Sequence, residues 1–126
     1  MGYRLRPDPV RAARLEQALA QIVARLPATD VQLAVLFGSL ARDDVGAGSD
    51  LDLLLVRPTD ERFVKRTEDL SAVLDVPVGL DVLVYTPEEF ARLRNESPFI
   101  RQALATGRTV YEAKPRDRSE PVAPPG

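Results

Sequence analysis

Residues 36–42, Leu-Phe-Gly-Ser-Leu-Ala-Arg, and residues 49–53, Ser-Asp-Leu-Asp-Leu, decide how this chain folds. In the first stretch an apolar run ends in Gly-Ser, and an arginine follows three positions later. In the second stretch Asp50 and Asp52 interrupt another apolar run. Aspartate is unfavourable in a strand and costly in a core, so two aspartates on one side of a strand need a compensating partner. We expect that partner to be a divalent cation.

The composition describes one domain that lacks the commonest catalytic and metal-binding side chains. The chain has 126 residues, 44% of them hydrophobic, which is enough for a single core. Its 17 basic and 19 acidic side chains are well mixed, so we expect no dedicated nucleic-acid binding. The absence of histidine and cysteine excludes a Ser-His-Asp triad, the common zinc sites and disulfides. No apolar run is long enough to span a membrane and no signal peptide is recognisable, so we expect a cytoplasmic domain without membrane contact.

Apolar periodicity and capping residues predict strands separated by helices. We expect helices at about 9–26, 39–43, 59–75, 87–93 and 98–106, and strands at 31–37, 51–56, 79–85 and 109–111. The helix at 59–75 is predicted from an apolar stripe of Phe63, Leu70, Val73 and Leu74. The pattern is typical of an α/β (α+β) fold, in which helices pack on a sheet. We expect a flexible segment at 1–7, an ordered domain at 8–112 and a disordered tail at 113–126.

A third aspartate, Asp81, interrupts the strand predicted at 79–85. Because strand side chains alternate between faces, Asp50 and Asp52 should project to the same side. If the strand of Asp81 lies beside theirs, three carboxylates come together and at least one pKa should rise. Mg²⁺ prefers a few carboxylates plus phosphate oxygens, so this set is a predicted Mg²⁺ site.

Gly38-Ser39 lies where a predicted strand turns into a helix, a place where backbone N–H groups and the helix dipole favour a phosphate. The glycine lets a phosphate come close, and the serine hydroxyl can donate a hydrogen bond. Arg42 lies about one turn further on and could reach the same phosphates or pair with an aspartate. A phosphate site beside a carboxylate metal site indicates phosphoryl or nucleotidyl transfer, in which two metal ions stabilise the attacking and leaving oxygens.

The order of Gly-Ser, ten residues, Asp-x-Asp and a later strand aspartate resembles the nucleotidyltransferase superfamily that includes DNA polymerase beta. Residues 38–42 and 49–53 are especially similar to the minimal nucleotidyltransferases of the MntA-like antitoxin type. Those are prokaryotic proteins that are often paired with a HEPN-domain ribonuclease as toxin. The resemblance covers about residues 10–112 and implies a small mixed sheet flanked by helices.

The same resemblance implies a role for each residue of the pattern. Asp50 and Asp52 would hold two Mg²⁺ ions. Asp81 would hold the catalytic ion and orient or deprotonate the attacking hydroxyl. Gly38 and Ser39 would contact the triphosphate of ATP, the substrate.

One departure from the family pattern concerns charge near the phosphates. Many relatives have glycine after the Ala-Arg pair, where this chain has Asp43-Asp44. The added charge should weaken triphosphate binding unless these side chains point outward.

Three functions agree with the pattern. The first is transfer of AMP from ATP to a hydroxyl, above all a tyrosine, of a partner HEPN-type toxin. The second is an antitoxin that neutralises its partner by contact alone. The third is a nucleotidyltransferase for small molecules, of the aminoglycoside type. Three retained carboxylates favour an enzyme, and the lack of the helical domain that aminoglycoside enzymes add favours a protein acceptor.

Overall fold

A computed structural model describes residues 7–114, which contain four strands and four α-helices. Their bounds are α1 Pro9–Arg25, β1 Leu33–Phe37, α2 Gly38–Ala41, β2 Leu51–Val56, β3 Leu80–Tyr85, α3 Pro87–Glu96, α4 Pro98–Thr106 and β4 Arg108–Glu112. The flexible segment and most of the disordered tail that the sequence predicts lie outside the described residues. Within residues 7–114, no helix combines the length and hydropathy that crossing a membrane requires.

The four strands form one mixed sheet in the order β3-β2-β1-β4. β1 runs antiparallel to both β2 and β4, whereas β2 and β3 are parallel. The central strand β2 is apolar at nearly every position because both faces of the sheet are covered. The predicted fold class, a small mixed sheet flanked by helices, is confirmed.

Each face of the sheet packs against its own helices. On one face, Leu53 and Leu55 belong to the same apolar cluster as Leu15 and Ile22 of α1. On the other face, Leu54 belongs to a cluster formed with side chains of α3 and α4, among them Phe90 and Ile100. Because side chains alternate along a strand, Asp52 shares the α3 and α4 side of the sheet with Leu54.

The helices begin at the caps that the sequence predicts. The backbone N–H of Arg11 donates to Asp8 Oδ1 at 2.9 Å at the start of α1. Thr86 and Glu89 form a reciprocal capping box at the start of α3. The Ser97 hydroxyl accepts from the backbone of α4. Three predicted bounds shift by two or three residues, since β1 begins at Leu33, α2 ends at Ala41 and α3 continues to Glu96.

The predicted helix at 59–75 is wrong, because this segment forms two short 3₁₀ turns, Phe63–Lys65 and Glu68–Leu70. Arginine side chains bind carbonyls of this segment, and the carbonyl of residue 66 is one that a continuous helix would use itself. Arg57 Nη1 donates to the carbonyl of residue 66 at 2.9 Å, and Arg25 Nη1 donates to those of residues 73 and 75 at 3.2 and 2.9 Å. Of the predicted apolar stripe, Phe63 is 47% exposed, whereas Leu70 is buried and Val73 and Leu74 pack against the core.

Two buried arginines hold this irregular segment to the sheet. Arg57 forms ion pairs with Asp30 at 2.8 Å and Asp69 at 2.7 Å. Arg66 pairs with Glu89 at 2.6 Å, and this hydrogen-bonded pair lowers the pKa of the Glu89 carboxyl to about 2. Both arginines are hydrogen-bonded, which is the condition for burying a charge at acceptable cost.

Candidate active site

Asp52 and Asp81 lie side by side at one end of the sheet. The parallel pairing of β2 and β3 sets Asp52 opposite Asp81, and the antiparallel pairing of β1 and β2 sets Phe37 opposite Asp52. Paired residues of neighbouring strands project to the same face. The sheet therefore brings together two aspartates that are 29 positions apart in the sequence.

The charges that act on the Asp52 carboxylate are predominantly negative. Burial raises the pKa of the Asp52 carboxyl, and the charge of Asp81, a hydrogen bond with Asp81 and the charge of Asp50 raise it further. Arg42 acts in the opposite direction, since its positive charge lowers the same pKa. Arg42 thus lies close enough to act on the carboxylates, as the sequence allowed. Its charge does not offset burial and two neighbouring carboxylates.

Gly38 brings the turn before α2 into contact with the Asp52 carboxylate. Its φ of +79° lies in the region that favours glycine. A Cβ at this position would overlap Asp52 Oδ2 and lie 2.9 Å from Asp52 Cγ. Ser39 follows in the first turn of α2 and is partly exposed. The backbone predicted to cradle a phosphate therefore abuts the carboxylates predicted to hold metal.

Asp50 directly precedes β2, which begins at Leu51, as the predicted bounds of 51–56 have it. Arg11 Nη2 of α1 lies 3.7 Å from Asp50 Oδ1, and Arg11 Nε donates to the Ser49 carbonyl at 2.7 Å. On its other side Asp50 meets Gly79, where a Cβ would lie 2.6 Å from Asp50 Cγ. Asp50 is thus held between α1 and the residue that precedes β3.

Arg11 is the residue of this region that the sequence did not single out. Arg11 is identified by its proximity to the loop before β2. Only the fold shows this proximity, since Arg11 and Ser49 are 38 positions apart in the sequence.

The three carboxylates fit a divalent cation by chemistry, because they are oxygen donors with an incomplete counter-charge. Among residues 7–114, however, no three acidic side chains are already arranged to hold one ion. Asp52 and Asp81 interact with each other, whereas Asp50 is engaged by Arg11. The donors are therefore gathered in one region, and Asp50 is the one with a competing partner.

The two aspartates that depart from the family pattern lie at the end of α2. Asp43 has a φ of +58°, a left-handed conformation in which glycine is favoured, which explains a preference for glycine at this position. Asp43 and Asp44 are both exposed. Their side chains therefore point outward, which is the case in which we expect their charge not to weaken triphosphate binding.

Residues 17–116 match the family described as Polymerase beta, Nucleotidyltransferase. The chain belongs to this nucleotidyltransferase family. The match covers most of the chain, including the Gly-Ser turn and all three aspartates of the predicted site. The chain matches no curated protein.

Several solved structures are similar to this nucleotidyltransferase. A candidate nucleotidyltransferase from Sulfolobus solfataricus is 22% identical over 66% of this chain and 71% of its own, with a TM-score of 0.43. A toxin-antitoxin solved with AMP-PNP is 22% identical over 79% of this chain and 74% of its own, with a TM-score of 0.46. A mutant of the MntA-HpeT toxin-antitoxin is 20% identical over 79% of this chain and 73% of its own, with a TM-score of 0.45.

Proposed function

We propose that this nucleotidyltransferase transfers AMP from ATP to a hydroxyl group, specifically a tyrosine of a partner HEPN-type toxin, and so acts as an antitoxin. The observation that carries the proposal is the contact of Gly38 with the carboxylate of Asp52, which pairs with Asp81 across β2 and β3. It sets a predicted phosphate site directly against a predicted metal site. The partner class comes from the resemblance of residues 38–42 and 49–53 to the minimal nucleotidyltransferases.

Asp50, Asp52 and Asp81 are the residues that would hold Mg²⁺. When bound, Mg²⁺ would neutralise charge on the attacking and leaving oxygens of an in-line displacement. The turn at Gly38-Ser39 would bind the triphosphate through backbone N–H groups and the serine hydroxyl. Arg42, whose charge acts on Asp52, would lie near the same phosphates.

In the proposed reaction the tyrosine oxygen attacks the α-phosphorus of ATP. A new phosphorus–oxygen bond forms, and the bond from the α-phosphorus to the bridging oxygen breaks. Pyrophosphate leaves with the electron pair of that bond. Asp81 accepts the tyrosine proton and passes it to solvent, which makes Asp81 the general base.

The position of Asp81 favours a large acceptor. β3 is an edge strand of the sheet, and Asp81 is exposed on it. An acceptor can therefore approach from solvent without entering a closed pocket. A tyrosine on a protein surface suits such an open approach better than a small molecule, which needs walls to hold it.

Co-expression tests the proposal against the alternative of an antitoxin that acts by contact alone. Wild type and the double variant Asp50→Asn, Asp52→Asn are each expressed with the HEPN-type toxin that we expect to be encoded next to this chain. Growth and the intact mass of the toxin are recorded. We expect wild type to restore growth and to add the mass of one or more AMP groups to the toxin, and the double variant to do neither.

The double variant should remain folded, because the change removes two carboxylates that repel each other and Asp81. Its melting temperature without metal should stay level or rise, which serves as the control. Full rescue by the double variant without a mass change on the toxin would refute transfer and support neutralisation by contact.

A further inference from the structure

We infer that Arg11 is the counter-ion of Asp50 in the metal-free protein, competes with the divalent cation for that carboxylate, and so sets how tightly the site binds metal. The inference depends on the proposed function in one respect, that Asp50 and Asp52 bind metal. It adds a residue from α1, outside the family motif, that determines metal affinity.

The guanidinium of Arg11 is fixed independently of Asp50. Asp8 caps the first turn of α1, and the backbone N–H of Asp8 donates to the Val45 carbonyl at 3.0 Å. Arg11 Nε donates to the Ser49 carbonyl at 2.7 Å. These bonds would hold the positive charge of Arg11 in place if the Asp50 carboxylate turned away.

Asp50 is the more exposed partner of this pair. Its side chain is 44% exposed, against 28% for Arg11. Its carboxylate extends beyond the start of β2, and Gly79 presents no side chain to block it. The distance of 3.7 Å between Arg11 Nη2 and Asp50 Oδ1 is that of a weak ion pair, which a stronger cation can displace.

The ion pair with Arg11 engages Asp50 Oδ1, a carboxylate oxygen that would otherwise be available to a cation. Replacing Arg11 would remove both the competitor for the Asp50 carboxylate and a nearby positive charge. Both changes should tighten cation binding.

Mn²⁺ binding to the full chain without nucleotide tests the inference. The electron paramagnetic resonance signal of free Mn²⁺ measures the dissociation constant at physiological salt, where distant charges are screened. Since exposed ion pairs are weak, we expect Arg11→Ala to bind Mn²⁺ about two- to five-fold more tightly than wild type. Arg14→Ala, which removes the same charge from an exposed position one turn along α1, should bind Mn²⁺ like wild type.

A double-mutant cycle locates the effect at Asp50. In the Asp50→Asn background, Arg11→Ala should tighten Mn²⁺ binding by clearly less than in the wild-type background, because the carboxylate under competition is absent and only the general loss of positive charge remains. A second measurement is thermal: Arg11→Ala should melt below wild type in EDTA, and saturating Mn²⁺ should narrow the difference.

Two results would overturn the inference, and they differ in what else they overturn. If wild type binds Mn²⁺ in a manner that Asp52→Asn abolishes, but Arg11→Ala binds no more tightly, competition by Arg11 is refuted and the proposed function stands. If wild type shows no Mn²⁺ binding that depends on Asp52, the inference is refuted, and the proposed function is refuted with it when Mn²⁺ binding in the presence of the ATP analogue is also independent of Asp52.

Discussion

Replacing Gly38 with alanine should damage stability and the site together, because the residue meets two demands at once. An L-residue at a φ of +79° costs about 1–2 kcal/mol. The new Cβ would also lie 2.9 Å from Asp52 Cγ, and turning that carboxylate off its rotamer costs about 0.5–1.5 kcal/mol. The lower entropy of the unfolded chain returns about 0.4–1 kcal/mol. The net loss in the free energy of unfolding is about 2 kcal/mol.

The assay combines thermal unfolding with nucleotide binding. For a domain of this size, the loss corresponds to a melting temperature about 5–10 °C lower in Gly38→Ala. Binding of a non-hydrolysable ATP analogue in Mg²⁺ should weaken by about ten-fold or more, since Asp52 is displaced and the phosphate turn is filled.

Variants of two other glycines separate the effect of the left-handed φ from the effect of the displaced carboxylate. Gly48→Ala introduces a Cβ with nothing within 4 Å, so its melting temperature and nucleotide binding should match wild type. Gly79→Ala would overlap the movable carboxylate of Asp50 without a left-handed φ, so it should weaken Mn²⁺ binding with little loss of stability. If Gly38→Ala melts and binds nucleotide like wild type, the contact between the turn and Asp52 does not exist as described.

Three further predictions concern single side chains. Asp81→Asn should leave binding of the ATP analogue largely intact but lower the rate of AMP transfer by about 10²–10⁴-fold, because the hydroxyl loses its proton acceptor; transfer at the wild-type rate would contradict the three-carboxylate assignment. At position 43, where φ is +58°, the free energy of unfolding of Asp43→Gly should be about 1 kcal/mol higher than that of Asp43→Ala. Equal melting curves of the two variants would show that the backbone is not left-handed there. The pKa of Glu89 lies at about 2, below its ordinary 4.5, so its pairing with Arg66 stabilises the fold above pH 4.5 and is lost as the pH falls toward 2. Between pH 4.5 and 2, the free energy of unfolding of Glu89→Gln should therefore fall less than that of wild type in acid denaturation. If both proteins lose the same stability over this pH range, the pair of Glu89 with Arg66 does not stabilise the fold.

The parts of the fold that local patterns determine were predictable from the sequence. Apolar runs identified β1, β2 and β3, and β1 and β2 are apolar throughout because both of their faces are covered. Capping residues identified the starts of α1, α3 and α4. The spacing of the aspartates predicted that Asp52 and Asp81 would lie on neighbouring strands, and the register of β2 and β3 places them opposite each other.

What the sequence did not predict depends on partners far along the chain. The irregular segment after β2 is held by Arg57, which bonds to the carbonyl of residue 66 and also pairs with Asp30, 27 positions away, and by Arg66, which pairs with Glu89, 23 positions away. An apolar stripe cannot show that arginines will take the carbonyls of a helix. Nor can it show that Arg11 will reach Asp50 from the other side of the loop. Such pairings follow from the tertiary fold and not from local periodicity.

Calorimetric titration of a non-hydrolysable ATP analogue into the full chain, with Mg²⁺ and then with EDTA, tests the central claim most directly. The claim is that Asp50, Asp52 and Asp81 bind nucleotide through metal beside the turn at Gly38. We expect weak binding of Mg²⁺ alone and tighter binding with nucleotide, because phosphate oxygens complete the coordination of the ion. Affinity for the analogue should fall by about ten-fold or more in EDTA and in the double variant Asp50→Asn, Asp52→Asn. Equal affinity in Mg²⁺ and EDTA would contradict the claim.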